Sequence, residues 1–317
     1  MKTQMKSVII LLGPTGVGKT GAALLLAKAL DTEIISADSM QIYRHMDIGT
    51  AKPSKEELAS VRHHMIDIVE PTESYSAGRY IDDIIPVIED LHGRGRVPII
   101  TGGTGLYIKA ITRGIFSGPS ADLSLRDELL RAEEADAGTL YARLSGLDPE
   151  AARKIEKNDT RRVVRALEVC LTGTGTMSRM QDTLTRPLPY DFIKVGLTRQ
   201  RKELYAVIDR RVDDMIASGL VAEVQKILAM QPDRTPMQAI GYKEIAAYLS
   251  GDISLDEAVR LVKRNSRRYA KRQFTWFRKE GEIIWVDLTA EFSQRAIFGR
   301  IMKVLDNSGQ ILYGNKK

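Results

Sequence analysis

The 317-residue chain has 47 lysines and arginines against 41 acidic residues, a net charge of +6, with 43% hydrophobic and 28% charged residues. That mixture excludes an intrinsically disordered chain, and the length allows a large core without disulfides or structural metal. The single cysteine, Cys170, excludes an internal disulfide and suits a reducing cytoplasm, and its apolar setting in residues 163–171 predicts a buried helix face.

The first apolar run, Val8 to Leu12, stops at a glycine-rich turn well short of a signal-peptide core, and no run approaches the roughly 20 apolar residues of a membrane span. No membrane association is therefore expected. Strands are predicted at 7–12, 33–37, 97–101, 192–197 and 283–287. Helical spacing marks Thr20–Leu30 and Ser76–Leu91, with Ser76 as N-cap and a kink expected at Pro86. Short β-rich runs alternating with helices predict parallel strands joined by crossovers, an α/β fold. From Pro119 to Pro189 the chain turns into charged, Leu- and Ala-rich helical sequence, and Phe192–Leu197 then resumes the sheet. The organisation predicted is a P-loop-type parallel-sheet core of residues 1–118 and 190–305, a helical insertion domain at 119–189, and a frayed tail at 306–317.

Gly13-Pro14-Thr15-Gly16-Val17-Gly18-Lys19-Thr20 fits GxxxxGK[ST] after an apolar strand and before a helix. Glycines let the backbone wrap an anion, amides and a helix N-terminus point at it, Lys19 adds a movable positive charge, and the Thr20 hydroxyl can carry Mg²⁺. A diphosphate or triphosphate ligand follows. The loop leaves open whether a phosphoryl group is transferred or a diphosphate displaced, since both need the same charge stabilisation.

More specific are Asp38-Ser39-Met40-Gln41-Ile42-Tyr43, residues 47–53 (DIGTAKP), residues 63–67 (HHMID), residues 101–107 (TGGTGLY) and residues 158–168 (NDTRRVVRALE). Together they resemble the tRNA dimethylallyltransferase (tRNA isopentenyltransferase) family over roughly residues 7 to 285. The resemblance implies a P-loop α/β core with a helical insertion and a channel in which the substrates meet. It implies transfer of the dimethylallyl group of dimethylallyl diphosphate to the exocyclic amine of the adenine 3′ of the anticodon, with diphosphate leaving.

Asp38 lies at the C-terminal end of a predicted parallel strand, the edge where such sheets place ligands. The resemblance assigns it the role of base toward the amine; ligating Mg²⁺ through water or capping a turn are the alternatives. Ser39, Met40 and Gln41 match the part of the family motif that contacts the flipped adenine, and the resemblance places the Thr104 hydroxyl at the reaction centre. Turn-making alone could explain the glycines at 102, 103 and 105. The resemblance makes Arg211 the candidate second cation for the diphosphate, with Arg210 adjacent; a solvated helix face is the alternative for either residue. The resemblance further implies tRNA contacts at Arg126, then Arg161, Arg162, Val163, Val164 and Arg165, then Gln238, Ala239, Ile240, Gly241, Tyr242 and Lys243.

Evidence for RNA beyond the resemblance lies in residues 260–279, which contain nine lysines or arginines and no acid. On a helix Arg260, Arg264, Arg268 and Arg272 form one stripe, flanked by Lys263, Arg267 and Lys271. A solvated face normally interleaves acids, so nucleic acid is the preferred partner, with Arg264, Arg268 and Arg272 as contacts. Tyr269, Phe274, Trp276 and Phe277 are assigned to the core. A base alkylated deep in a channel must leave its stack. Three rivals stand: a small-molecule kinase, transfer to free adenine nucleotides, and a non-enzymatic RNA-binding module. His63 and His64 point apart and suggest no zinc site. A cytoplasmic monomer is expected.

Overall fold

The computed structural model describes residues 6–116, 118–119, 122–173 and 175–307. In chain order the elements are β1 (Ser7–Leu12), α1 (Lys19–Ala29), β2 (Ile34–Ala37), α2 (Lys55–Ser60), β3 (His63–His64), α3 (Ala77–Gly93), β4 (Ile99–Gly102) and α4 (Gly105–Arg113). Five helices follow, α5 (Leu123–Ala135), α6 (Thr139–Leu147), α7 (Pro149–Lys154), α8 (Thr160–Leu171) and α9 (Met177–Leu184). The chain then forms β5 (Asp191–Thr198), α10 (Arg201–Ala217), α11 (Leu220–Ala229), α12 (Tyr242–Leu249), α13 (Leu255–Phe277), β6 (Ile283–Asp287) and α14 (Gln294–Asn307).

It divides into two compact units, one of Met1–Lys109 and Pro189–Lys317 and one of Ala110–Leu188. The second unit begins at Ala110 rather than 119, because the division falls within α4 and not at the later change of composition. Of the expected frayed tail, Asp306 and Asn307 close α14 and residues 308–317 lie outside the described residues.

The first unit holds a parallel six-stranded sheet in the order β3-β2-β4-β1-β5-β6. A sheet covered on both faces selects unbroken apolar strands, and Val8 to Leu12 and Ile34–Ile35 are fully buried. The five predicted strands are present; β3, two residues long, carried too little pattern to be read. Ser76 caps α3 by accepting the Arg79 N–H at 3.1 Å. The helix runs unbroken through Pro86, because Tyr80, Ile84, Ile88 and Leu91 bury one stripe on both sides of it.

Register sets the geometry of the sheet's carboxyl edge. Ala37 on β2 and Leu12 on β1 both pair with Gly102 on β4. Asp38, Gly103 and Gly13 are therefore each one residue beyond a shared row. Three adjacent strands release their turns at the same level, the place where open α/β sheets bind ligands.

In the helical unit, α5 to α9 pack Leu129, Leu140, Leu144, Val163, Val164 and Leu167 into one core. Asp122, Asp148, Asp159 and Thr176 cap four of the helices through their side chains. Glu168 is buried in this unit, accepting the Asp122 N–H at 2.8 Å and forming ion pairs with Arg126 and Arg165. Cys170 is only partly buried on α8, a correction to the buried face expected, and burial still raises its thiol pKa.

Candidate active site

The loop between β1 and α1 is built on left-handed glycines. Gly16 and Gly18 adopt φ of 79° and 108°, values that side-chain-bearing residues rarely take. Lys19 folds back over the loop and donates to the Gly13 and Pro14 carbonyls, each at 2.9 Å. Desolvation lowers its pKa to about 8, opposed by the charge of Asp38 and reinforced by that of Arg211. Arg211, on α10, donates to Thr15 Oγ1 at 3.4 Å, and burial lowers its pKa while Asp38 raises it. Arg210 is exposed. Two cations and one carboxylate thus share the carboxyl edge of the sheet, with Arg211 rather than Arg210 turned to the loop.

Asp38 Oδ1 accepts the amides of Met40 (2.9 Å) and Gln41 (3.4 Å), the turn cap considered from sequence. That bond does not exclude proton transfer, since it engages one carboxylate oxygen and leaves Oδ2. Thr104 Oγ1 accepts the Ser39 N–H at 3.0 Å and donates to Ser39 Oγ at 3.3 Å. The turns after β2 and β4 are thereby joined. Gln41 is tied to the neighbouring turn: its Nε2 donates to the Thr50 and Ala51 carbonyls and its Oε1 accepts from Ser36.

The glycines at 102, 103 and 105 serve close approach rather than turn conformation. A Cβ at Gly102 would lie 2.2 Å from the Ala37 carbonyl oxygen, at Gly103 2.2 Å from Gln273 Nε2, and at Gly105 2.6 Å from the Trp276 ring. Two of the three neighbours are on α13, which presses against the β4 turn.

The Thr20 hydroxyl stands exposed in the first turn of α1. Mg²⁺ takes few protein ligands and completes its shell with phosphate oxygens and water, so a single hydroxyl beside a diphosphate loop suits it. Among the described residues no group of three or more potential ligands is present, and His64 is paired with Glu33 at 2.6 Å.

The basic run covers α13 from Arg260 to its end at Phe277 and continues to Lys279, and acids outside the run neutralise part of it. Lys263 pairs with Asp213 at 2.6 Å, Arg267 with Asp209, and Arg260 with Glu257. Among the described residues Arg264, Arg268, Lys271 and Arg272 have no ion-pair partner, so the unneutralised stripe is shorter than the sequence implied. Phe277 is fully buried, but Trp276 is 36% exposed and Tyr269 and Phe274 are partly buried, which corrects their assignment to the core. The Tyr269 hydroxyl interacts with Thr104 and Gln273; burial and the charge of Asp38 raise its pKa to about 12. Beside Pro14 opens a cleft of about 710 Å³ that also presents Arg201, Lys271 and Arg278.

Several expected RNA contacts are committed elsewhere. The side chains of Val163 and Val164 are in the helical core, where they cannot meet RNA, and Arg126 and Arg165 neutralise Glu168. Arg161 and Arg162 are exposed. Ala239, Gly241 and Tyr242 are buried, Ile240 is partly buried, and Gln238 and Lys243 are exposed. Tyr242 packs over Gly49, and its hydroxyl donates to Glu223, whose carboxylate also accepts the amides of Asp47, Ile48 and Gly49 at 2.8 to 3.0 Å. The 47–53 and 238–243 segments are therefore two halves of one structural joint. Glu223 and Gln273 were not found from sequence. A lone amide on the apolar stripe Ala270, Gln273, Phe277 was the available signal for the latter.

Residues 41–280 match the family model described as IPP transferase. The chain is 50% identical over 307 residues to a tRNA dimethylallyltransferase of Thermodesulfovibrio yellowstonii, covering 95% of this chain and 98% of that one. It is similar to the crystal structure of a tRNA isopentenylpyrophosphate transferase from Bacillus halodurans, with TM-score 0.68 and 41% identity over 97% of this chain and 100% of that chain. It also resembles a eukaryotic dimethylallyltransferase captured acting on tRNA, with TM-score 0.78 and 29% identity over 98% of this chain and 82% of that one.

Proposed function

The chain belongs to the IPP transferase family and is a tRNA-prenylating transferase, and from that premise we propose how its residues carry the reaction. The donor is dimethylallyl diphosphate and the acceptor is the exocyclic N6 amine of the adenine 3′ of the anticodon. The amine attacks the allylic carbon, the carbon–oxygen bond breaks, and its electron pair leaves with the diphosphate. Loop amides, Lys19 and Arg211 stabilise the charge that develops there. The amine proton passes to Asp38 Oδ2, while the Met40 and Gln41 amides hold Oδ1 and fix the carboxylate. Thr20 would hold Mg²⁺, which when bound neutralises part of the leaving-group charge.

The observation that carries this reading is the convergence of Lys19, Arg211, Asp38 and Thr104 at one sheet edge. It supplies cations for a leaving anion and a carboxylate for a proton, whereas a non-enzymatic RNA-binding module leaves Asp38 and the anion loop without a role. Arg264, Arg268 and Arg272, which have no ion-pair partner among the described residues, and the exposed Arg161 and Arg162 favour tRNA over a free nucleotide. The cations of the cleft beside Pro14 favour approach of the anionic donor. We place the enzyme in the cytoplasm as a monomer. Labelled dimethylallyl diphosphate offered with tRNA, an anticodon stem-loop or AMP tests the reading. Label in the two RNAs supports it; label in AMP alone, or none without ATP, removes it.

A further inference from the structure

Gln273 lies on the buried stripe of α13 with 6% of its surface exposed. Its Oε1 accepts the Thr15 N–H at 2.9 Å and its Nε2 donates to the Gly103 carbonyl at 2.8 Å. With a donor at one end and an acceptor at the other, only one orientation of the amide satisfies both. Each partner is a backbone group in a turn of the site. Thr15 is in the anion loop and receives Arg211, and Gly103 precedes Thr104, which grips Ser39 beside Asp38. The amide is wedged as well as bonded, because a Cβ on Gly103 would lie 2.2 Å from Nε2.

We propose that Gln273 is a positioning residue for prenyl transfer: by bridging the Thr15 amide and the Gly103 carbonyl it fixes the separation between the diphosphate loop and the turn that carries Thr104. The inference rests on the function given above. Prenyl transfer requires the allylic carbon and the amine to meet in line, and each is held by a different turn. A buried amide and carbonyl left without partners would pull both turns toward new ones. A shift on the order of 1 Å between reacting groups costs about a hundredfold in rate while leaving each substrate's own contacts intact.

The test separates positioning from folding. Gln273→Met removes both hydrogen bonds at similar volume. It is expected to lower kcat about a hundredfold, with inorganic pyrophosphate and anticodon stem-loop bound at unchanged stoichiometry and within about threefold of the wild-type affinity. Gly103→Ala displaces the same amide from the other side and is expected to reproduce that split, which keeps the test available if the methionine variant does not fold. A kcat near wild type in both variants, or loss of pyrophosphate binding in parallel with kcat, overturns the proposal. Absence of transfer by the wild-type protein would instead strike the functional reading itself.

Discussion

Thr104 Oγ1 accepts the Ser39 amide at 3.0 Å, so the turn after β4 and the turn after β2 are tied into one piece. Asp38 belongs to that piece and Lys19 to the facing loop. Base and leaving-group cation are thus carried on separate supports, and their charges act on each other across the gap.

Asp38→Asn retains an Oδ1 acceptor for the Met40 and Gln41 amides but removes the base. Steady-state kinetics should show kcat reduced about 10²- to 10⁴-fold with the KM for dimethylallyl diphosphate little changed. Asp38→Ala removes the cap as well, so it should lose a similar amount of turnover and additionally lower Tm. Near-wild-type turnover in the asparagine variant would eliminate the assignment.

The pKa of Lys19, lowered to about 8, gives donor affinity a pH limb. Below that value the ammonium is already charged in the free protein and affinity should be flat. Above it the bound anion must draw a proton back onto Lys19, so affinity should weaken toward about tenfold per pH unit, with proton uptake on binding. Calorimetry at pH 8.5 in buffers of different ionisation enthalpy measures that uptake, and Lys19→Met should abolish it.

How far the sequence could be read depended on the range of the forces involved. Strands, the anion loop and Asp38 were legible because each is written locally, in an apolar run, a glycine spacing and a strand end. Salt-bridge partners were not. The basic run of α13 looked unneutralised because Asp209 and Asp213 reach it from α10, about fifty residues earlier in the chain. Burial misled in the same way, since Val163 and Val164, in a motif that carries the family resemblance, and Tyr242, in a segment expected to contact tRNA, face the protein's cores. Gln273 was hidden by its charged neighbours, and only the fold reveals that it faces inward.

Those ion pairs make a differential forecast for RNA binding. Neutralising Arg268 or Arg272 should weaken binding of an anticodon stem-loop and flatten the plot of log K against log salt by about 0.7 to 0.9 for each phosphate that is no longer neutralised. Lys263→Met and Arg267→Met should leave the slope nearly unchanged, because their charges already face Asp213 and Asp209. Fluorescence anisotropy across a salt series distinguishes the two sets.

Glu33 should govern the acid limb of stability. Its side chain, 9% exposed, receives Arg94 at 2.6 Å and His64 at 2.6 Å, and these bonds, Arg94 foremost, hold its pKa down to about 2. A carboxylate depressed below its unfolded value of about 4.3 stabilises fully above that value and progressively less as pH falls toward 2. Glu33→Gln should therefore cost on the order of 2 kcal/mol at pH 7 and show a shallower loss of Tm between pH 4.5 and 2.

The most direct test is a stoichiometric one. Incubating the protein with an anticodon stem-loop and dimethylallyl diphosphate in the absence of ATP, and counting products in one sample, should give one inorganic diphosphate for each adenine prenylated at N6. Release of orthophosphate, a requirement for ATP, or prenylation confined to free AMP would contradict the assignment of Gly13–Thr20 as a cradle for a leaving diphosphate.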